Sequence, residues 1–368
     1  MKKKKVIVAM SGGVDSSVAA LLMKKKGYEV IGVFLKCWSD TKNSIGECAW
    51  KTERRFAMKI CHKLKIPLVT IDAEKEYKKY VIGEMFKDYK KGITPNPDIL
   101  CNEIVKFPFL LKTAKKFKAD AIVTGHFAKV KKSKKKYFLY RAKDEMKDQS
   151  YFLYRLKEKD LANLIFPIGE YTKKEVREIA KINEFPNYGK KSTVGICFIG
   201  KVNLKDFLKK KIKSKKGKIL GPDEKTILGE HDGVYYYTIG QRLGSRFDLN
   251  IKKVGKANMQ RWYVAKKDIK KNTIIVAPKG HEILYKKHII IKDFHLISEN
   301  INKFKKGSHK VYSRIRHVGE LVPSTLDYNK KTKKFELNLG IKLDGVSSGQ
   351  AVVLYQGRKV LGGGVIYE

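Results

Sequence analysis

Acidic residues, cysteines and long apolar runs are all scarce in this sequence of 368 residues. Asp and Glu number 37 against 81 Lys and Arg, so the formal net charge is +44. No apolar run approaches the roughly 18 residues that span a bilayer, and Val6–Met10 is too short for the core of a signal peptide. We therefore expect a soluble, cytoplasmic protein. The five cysteines lack any CxxC spacing, which argues against a disulfide framework or a structural zinc site; they are Cys37, Cys48, Cys61, Cys101 and Cys197.

The excess of positive charge predicts a polyanionic partner. A charge of this size favours nucleic acid or an anionic membrane surface. Arg supplies only 11 of the 81 cations, however, and a lysine-rich genome can produce the same count, so charge alone is moderate support for RNA or DNA. The length suits two to three domains of ~100–200 residues each.

Over residues 1–202, apolar strand patterns alternate with helical patterns. This alternation predicts the α/β class with a doubly wound parallel sheet. Ligands of such sheets bind beyond the carboxyl ends of the strands, which here are followed by the loop after Met10, the stretch after Leu35, and Gly125-His126. The predicted strands are Val6–Met10, Glu29–Leu35, Ile66–Ile71 and Ala121–Thr124; the predicted helices are Asp15–Lys26, Ala49–Leu64, Glu74–Lys91 and Phe107–Lys118.

After residue 202 the pattern changes to short β-like runs separated by Gly, Pro, Asn and Asp. Regularly spaced short strands with turn signals predict two small β-rich domains, the last a β-barrel. We place the central domain at 203–277 and the C-terminal barrel at 278–368. One of the predicted strands of the central domain is Val234–Ile239.

Ser11–Ser17, with the sequence SGGVDSS, lies directly between a predicted strand and a predicted helix. Gly12 and Gly13 let the backbone bend around an anion, and the helix that follows offers unpaired N–H groups and the positive end of its dipole. The segment is neither a Walker A loop nor a GxGxxG loop. It resembles the pyrophosphate loop of the ATP pyrophosphatases, which cleave ATP between its α and β phosphates. A glycine-rich turn with a Ser or Asp cap is the weaker alternative.

Thr94–Asn102, with the sequence TPNPDILCN, combines two prolines with a carboxylate and a thiol. The prolines predict a stiff, extended loop that fixes the geometry of Asn96, Asp98 and Cys101. Asn96 could hydrogen-bond a base edge, Asp98 could move a proton, and Cys101 could act as a nucleophile in a cationic setting. On the residues alone, a surface turn that carries a buried free cysteine is an equally good interpretation.

The other candidate thiol, Cys197, lies in the apolar segment Thr193–Gly200. Taken alone, a cysteine among Ile and Phe is more often a core residue than a catalytic one. An iron–sulfur cluster held by Cys101, Cys197 and Asp98 is a further alternative, but such clusters normally use more thiolates. We interpret the remaining three cysteines as buried or incidental.

Six motifs in a fixed order resemble those of the tRNA-specific 2-thiouridylases. That family carries SGGVDSS, TPNPDxxCN, TGHYA, KDQSYFL, GICFIG and a TIGQR-type segment. The corresponding segments here are Ser11–Ser17, Thr94–Asn102, Thr124–Ala128, Lys147–Leu153, Gly195–Gly200 and Thr238–Arg242. The resemblance implies a first domain like the adenine nucleotide α hydrolases over 1–202, which would be the ATP-pyrophosphatase catalytic domain, and a central domain that binds tRNA.

The resemblance implies that sulfur replaces the 2-oxygen of the wobble uridine of tRNA, with ATP and its accompanying Mg²⁺ as cofactor. Adenylation would turn the uracil 2-oxygen into a good leaving group. Cys197 would carry sulfur as a persulfide, Cys101 would free sulfide or close a disulfide with Cys197, and Asp98 would act as acid or base. The residues implied for ATP are Ala9, Met10, Ser11, Gly12, Gly13, Val14, Asp15, Ser16, Leu35 and Gly125.

The resemblance also implies partners. The anticodon arm of tRNA would bind, and sulfur would come from a persulfide relay protein or a cysteine desulfurase; we expect no membrane partner and no tightly bound metal. The chain departs from the family at Ser192-Thr193, where Asp-Ser is common, and at Phe127, where Tyr is common. The residues implied for tRNA are Asn96, Pro97, Asp98, His126, Lys147, Asp148, Gln149, Arg314, Ile315 and Gln350. For Arg314, a solvated strand charge is a close alternative.

Two rival functions remain open on the sequence. Another ATP pyrophosphatase that acts on RNA, such as a lysidine synthetase or a 4-thiouridine-forming enzyme, would share the phosphate loop. A non-catalytic RNA-binding protein could keep ATP for structure alone. Two cysteines in separate motifs favour thiolation over lysidine formation, which needs no thiol.

Overall fold

Three sheets contain the strands of the computed structural model, which describes residues 3–41, 47–191, 195–200, 203–243, 261–317 and 319–367. Ser192 and Thr193 lie outside these ranges. The strands are β1 (Lys5–Ala9), β2 (Glu29–Lys36), β3 (Leu68–Asp72), β4 (Ala121–Val123), β5 (Ala128–Ser133), β6 (Lys136–Arg141), β7 (Leu164–Ile165), β8 (Gly217–Leu220), β9 (Ile227–His231), β10 (Trp262–Asp268), β11 (Thr273–Pro278), β12 (Tyr285–Leu296), β13 (His309–Arg314), β14 (Val322–Asn329), β15 (Lys334–Asp344), β16 (Ala351–Gln356) and β17 (Lys359–Tyr367). The α-helices are α1 (Val14–Lys25), α2 (Ala49–Lys63), α3 (Glu74–Glu76), α4 (Gly83–Lys90), α5 (Pro97–Leu100), α6 (Phe107–Lys116), α7 (Glu158–Leu161), α8 (Lys173–Ile182), α9 (Leu204–Lys209) and α10 (Ile301–Phe304). None of these described helices is long and apolar enough to cross a membrane.

The first sheet is parallel, with the order β3-β2-β1-β4-β7. Both of its faces are buried: Ile7 and Ile122 pack on the side of α4 and α6, whereas Val8 and Val123 pack on the side of α1, α2 and α8. This confirms the doubly wound α/β fold that the sequence predicts. Because β2 and β4 flank β1, the loops after these three strands meet at the topological switch point, where such folds bind ligands.

Two π-helical turns interrupt the helices that pack on this sheet. The helix predicted over Glu74–Lys91 forms as α3, a π turn over Tyr77–Ile82, and α4. The second π turn, Cys101–Lys106, joins α5 to α6. Such turns are rare, and they occur frequently at functional sites.

The prediction of an extended loop throughout Thr94–Asn102 is wrong in its second half, because α5 begins at Pro97. Proline suits the first position of a helix, where its missing N–H would have no intrahelical partner and its φ is already helical. The side-chain oxygen of Asn96 accepts a hydrogen bond from the Ile99 N–H at 3.3 Å and caps the helix. The second proline therefore starts a helix instead of prolonging the extended segment.

The later strands form a small central sheet, in the order β10-β11-β8-β9, and a barrel. The barrel has the strand order β12-β15-β14-β13-β16-β17 and closes through β12 and β17, which confirms the predicted C-terminal β-barrel. The hairpin β5–β6 from the first domain extends the barrel sheet beyond β17. The strand predicted at Val234–Ile239 is wrong: a 3-10 turn, Val234–Tyr236, follows Gly233, whose φ is +145°. The turn buries Val234 and Tyr236 without a strand.

A buried ion cluster docks the barrel on the first domain. The Asp148 side chain is 0% exposed and pairs with Arg314 of β13 at 3.1 Å. Asp148 also accepts hydrogen bonds from the Ala142 N–H at 3.1 Å and the Ser150 hydroxyl at 2.9 Å. A carboxylate this deeply buried is stable only when it is paired and hydrogen-bonded. The cluster therefore fixes where the barrel sits beside the first domain.

Candidate active site

The loop after β1 forms a cradle of hydroxyl and amide groups. Gly12 has a left-handed φ of +74°, and Gly13 is the N-cap of α1. Ser16 Oγ accepts a hydrogen bond from the Ser11 N–H at 3.2 Å, while the Ser16 and Ser17 hydroxyls donate to the Gly13 carbonyl at 3.0 and 2.9 Å. The first N–H groups of α1 have no intrahelical partner and face this turn, so an anion such as a triphosphate can accept from them.

Two glycines lie too close to their neighbours to carry a side chain here. A Cβ on Gly12 would lie 2.2 Å from the carbonyl oxygen of Glu53 in α2, and a Cβ on Gly125 would lie 2.6 Å from the backbone nitrogen of Ser16. Gly125, which follows β4, is therefore packed directly against the phosphate loop. Leu35, the other residue predicted beside the nucleotide, lies near the end of β2, the strand adjacent to β1.

Cys101 and Cys197 come from separate segments and share a side-chain hydrogen bond. Both are free thiols. Cys101 is 0% exposed, whereas Cys197 is only half-buried. The structure thus brings the two predicted thiols together.

A tight turn over Ile196–Gly200 presents Cys197. The ends of the turn form an antiparallel bridge, and Phe198 within it has φ of +66°, a costly conformation for a bulky residue. The Tyr77 hydroxyl donates to the Cys197 carbonyl oxygen at 2.5 Å, and the Asp98 carboxylate accepts from the Cys197 N–H at 2.8 Å. These two bonds hold the backbone of Cys197 on both sides and so fix the position of its sulfur.

The groups around the two thiols shift their pKa values in opposite directions. The hydrogen bond with Cys101 lowers the pKa of Cys197 to about 7, and the Lys106 ammonium reinforces this against the opposing effect of burial. Burial, followed by the bond to Cys197, raises the pKa of Cys101 well above its usual value. Burial also raises the pKa of Asp98. Near neutral pH the cluster therefore favours a Cys197 thiolate that accepts from the Cys101 S–H.

Gly125 and His126 connect the thiols to the phosphate loop. Gly125 abuts Ser16, and Nε2 of His126 lies 3.5 Å from Nζ of Lys106, which in turn contacts Cys197. One short segment after β4 thus contacts the phosphate loop through one residue and the thiol cluster through the next. Both halves of the predicted site lie on the same edge of the sheet.

Three residues implied as RNA contacts, Asp148, Arg314 and Ile315, are buried. Asp148 and Arg314 pair with each other, and the Ile315 carbonyl lies 3.4 Å from the Tyr151 hydroxyl. Direct contact between these side chains and RNA would require the barrel to separate from the first domain. The alternative of a solvated strand charge at Arg314 is wrong, because the guanidinium neutralises a buried carboxylate.

The other implied RNA contacts lie nearer the surface. Lys147 is exposed, and Gln149 is half-buried with its side-chain oxygen accepting from the Phe127 N–H at 2.9 Å. The Gln350 amide donates to the carbonyls of Thr94 and Pro95 at 3.0 and 3.3 Å. The barrel therefore holds the start of the segment that carries Asp98 and Cys101.

Four residues of the site were missed by the sequence interpretation. Lys106 and Tyr77 contact the Cys197 turn, and Asn187 donates to the Gly12 carbonyl at 2.9 Å. Cys37, interpreted as incidental, is buried near Cys197; burial first, and the Cys197 charge second, raise its pKa. Cys37 follows β2 at the edge where ligands bind, so its position along the chain was a usable signal.

The fold and the site together define a doubly wound α/β protein with a glycine-rich cradle and a hydrogen-bonded thiol pair at the edge of its sheet. Three family models match in sequence: a "tRNA methyl transferase HUP domain" over residues 4–201, a "tRNA methyl transferase PRC-barrel domain" over 205–278 and an "Aminomethyltransferase beta-barrel domain" over 286–366. A tRNA-specific 2-thiouridylase of Geobacillus kaustophilus is 39% identical, with 100% of this chain and 96% of that protein covered. Its counterpart in Coxiella burnetii is 40% identical, with 98% and 97% covered. The chain belongs to the tRNA-specific 2-thiouridylase family.

Among solved structures, a 4-thiouridine synthetase–RNA complex with bound ATP is similar at a TM-score of 0.36 and 16% identity. The match covers 54% of this chain and 46% of that one. A score this low carries no conclusion about the site.

Proposed function

We propose that this protein replaces the 2-oxygen of the wobble uridine of tRNA by sulfur, with consumption of ATP, in the cytoplasm. The observation that carries the proposal is the junction at Gly125-His126, where a phosphate cradle and a hydrogen-bonded pair of free thiols share one edge of the sheet. A thiol pair has no role in lysidine formation. A purely structural ATP site would not need a thiol held near a pKa of about 7 beside it.

The cradle has the hydrogen-bond donors that the phosphates of ATP need. The backbone amides at the start of α1 and the hydroxyls of Ser11 and Ser16 can hold the phosphates, while the lack of a side chain at Gly125 lets the segment after β4 pack against the start of α1. The described residues contain no group of three or more His, Cys, Asp or Glu that could hold a metal ion. In our proposal, Mg²⁺ therefore arrives on the triphosphate.

In the first step, the uracil 2-oxygen attacks the α-phosphorus of ATP, and pyrophosphate leaves as the bond between the α and β phosphates breaks. Asp98 accepts the proton that uracil N3 loses, since burial gives this carboxyl a raised pKa suited to proton transfer. Asn96 and Pro97 lie beside Asp98 and surround the base. AMP on the 2-oxygen is then the leaving group for the second step.

In the second step, the terminal sulfur of a Cys197 persulfide forms the bond to carbon 2, and AMP departs with the former uracil oxygen. The Cys101 sulfur attacks Sγ of Cys197, the bond to the transferred sulfur breaks, and a Cys101–Cys197 disulfide remains. The order can also be reversed, with Cys101 freeing sulfide before the sulfide attacks carbon 2. In either order an external thiol reductant must restore both cysteines.

A partner, either a persulfide relay protein or a cysteine desulfurase, would deliver sulfur to Cys197, which is half-buried where Cys101 is fully buried. The anticodon arm would meet Lys147 and the lysine-rich surface, which positions the RNA through its phosphates. In this proposal His126, Gln149 and Gln350 contact the RNA close to the target base. Asp148, Arg314 and Ile315 contribute by holding the barrel in place.

Incubation of the full chain with unmodified tRNA, ATP and a persulfide donor tests this function. We expect 2-thiouridine at the wobble position, with AMP and pyrophosphate formed in equal amounts, as read by nucleoside mass spectrometry. The appearance of 4-thiouridine or lysidine instead, or of bound ATP with unchanged tRNA, would assign the protein to one of the rival functions.

A further inference from the structure

Lys106 is placed against the thiol pair by an irregular turn of helix. It is the last residue of the π turn that begins at Cys101. Residues five apart share a face in a π turn, whose hydrogen bonds span five residues, but not in an α-helix. The turn thus brings the Lys106 side chain to the face of Cys101 and within hydrogen-bonding contact of the Cys197 sulfur.

The surroundings of Lys106 keep its ammonium charged and aimed at Cys197. Lys106 Nζ lies 3.5 Å from His126 Nε2 and 5.6 Å from the centre of the Phe198 ring. Burial and the Lys106 charge lower the pKa of His126, so its imidazole is neutral. His126 Nδ1 lies 2.6 Å from Thr124 Oγ1. The Thr124 oxygen can accept a hydrogen bond from Nδ1–H, which leaves the unprotonated Nε2 as the acceptor for Lys106.

The acidic groups around the ammonium complete the arrangement. Burial disfavours a charged lysine, but the nearby Cys197, Cys101 and Asp98 outweigh it and raise the pKa of Lys106. The titratable groups that face the Cys197 sulfur are Cys101 and Lys106 from the π turn, Asp98 from α5, Tyr77 from the other π turn and Cys37 from the end of β2. Lys106 is the cation of this set.

We propose that Lys106 is a further catalytic residue, whose ammonium holds the sulfur of Cys197 as an anion for sulfur loading. This role rests on the proposed thiolation. In loading, the Cys197 thiolate attacks the outer sulfur of a donor persulfide R–S–SH, a new S–S bond forms, and the old S–S bond breaks. The donor leaves as the thiolate R–S⁻ and takes up the proton of the transferred sulfur, so Cys197 then carries a persulfide anion. Lys106 stays protonated throughout and pairs with the Cys197 thiolate before the attack and with the persulfide anion after it.

The pH dependence of Cys197 alkylation by iodoacetamide tests this role in the full chain, without RNA or ATP. Iodoacetamide reacts with the thiolate, and peptide mass spectrometry reports modification at Cys197 alone. We expect Lys106→Met to slow alkylation at pH 7 by about fivefold or more, since a thiol with a pKa of about 7 is half ionised at pH 7 and a rise of one pKa unit leaves roughly a tenth of it as thiolate. Alkylation at high pH should remain at the rate of the unaltered protein.

Lys112→Met, which removes an exposed lysine from α6, is the matched control and should leave the profile unchanged. Lys106→Gln keeps a hydrogen-bond donor but no charge, and it should behave as Lys106→Met does; ATP binding by both variants reports whether they are folded. An alkylation profile in folded Lys106→Met or Lys106→Gln that matches the unaltered protein would overturn the proposal. That result would leave the proposed thiolation intact, because thiouridine formation is measured separately.

Discussion

Cys197→Ala and Cys101→Ala are each expected to lower the rate of 2-thiouridine formation by about 10³-fold or more, the scale on which removal of a reacting nucleophile acts. Cys197 carries the sulfur, and Cys101 supplies the electron pair that separates the sulfur from Cys197. The cradle is untouched in both variants, and an alanine at 197 keeps the N–H that Asp98 accepts. Release of pyrophosphate that depends on tRNA should therefore persist while thiolation, followed by mass spectrometry of the nucleosides, is lost.

Cys48→Ala is the matched control for both variants. Cys48 is a half-buried free thiol at the start of α2, and it should be replaceable without loss of thiolation. Full thiolation by either Cys197→Ala or Cys101→Ala would show that the thiol pair does not perform the sulfur transfer, even though the two sulfurs are in contact.

The second large effect is expected from Gly125→Ala. The added Cβ would lie 2.6 Å from the Ser16 nitrogen and 2.7 Å from the Asp15 carbonyl carbon, so the start of α1 must shift. A misplacement of about 1 Å in a reacting constellation can cost about 10²-fold. We therefore expect kcat/KM for ATP to fall by about that factor, measured as pyrophosphate release with tRNA at saturation.

Gly189→Ala controls for the substitution itself, because nothing lies within 4 Å of a Cβ at Gly189 and its φ is not left-handed. This variant should retain normal kcat/KM for ATP. If Gly125→Ala retained it as well while remaining folded, the segment after β4 would not form part of the nucleotide site.

The phosphate loop could be predicted from sequence because its chemistry is local. Two adjacent glycines between a strand and a helix leave few alternatives, and the structure has Gly12 in the left-handed region with α1 starting at Val14. The doubly wound sheet could be predicted for the same reason. Each strand and helix has its own short sequence pattern, and the alternation of the two kinds of pattern indicates the fold. The boundaries predicted for these elements differ from the observed ones by only a few residues.

The thiol cluster could not be assembled from local pattern. Cys101 and Cys197 were joined only through the resemblance to a family, and nothing in the sequence marked Lys106 as their neighbour. Its position depends on the π turn over Cys101–Lys106, and an α-helix through the same residues would point it elsewhere. Cys37 reaches the cluster through the order of the strands in the sheet, which is a tertiary property.

The sequence pattern also did not predict which charged residues are buried. Asp148 and Arg314 are charged residues in a strongly basic chain, and sequence alone favours solvent or RNA as their partner. The structure pairs them with each other across the junction with the barrel, where each neutralises a charge that would otherwise be costly to bury. The same long-range docking explains why β5 and β6 extend the barrel sheet although they belong to the first domain.

The central claim is that one site activates the uracil 2-oxygen with ATP and then replaces it with sulfur from Cys197. The most direct test is to follow a heavy oxygen isotope placed at the 2-oxygen of the wobble uridine. If the 2-oxygen is adenylated and then displaced, the label must appear in the phosphate of AMP, with one labelled AMP for each 2-thiouridine formed. Unlabelled AMP, with the isotope recovered in water, would contradict the claim.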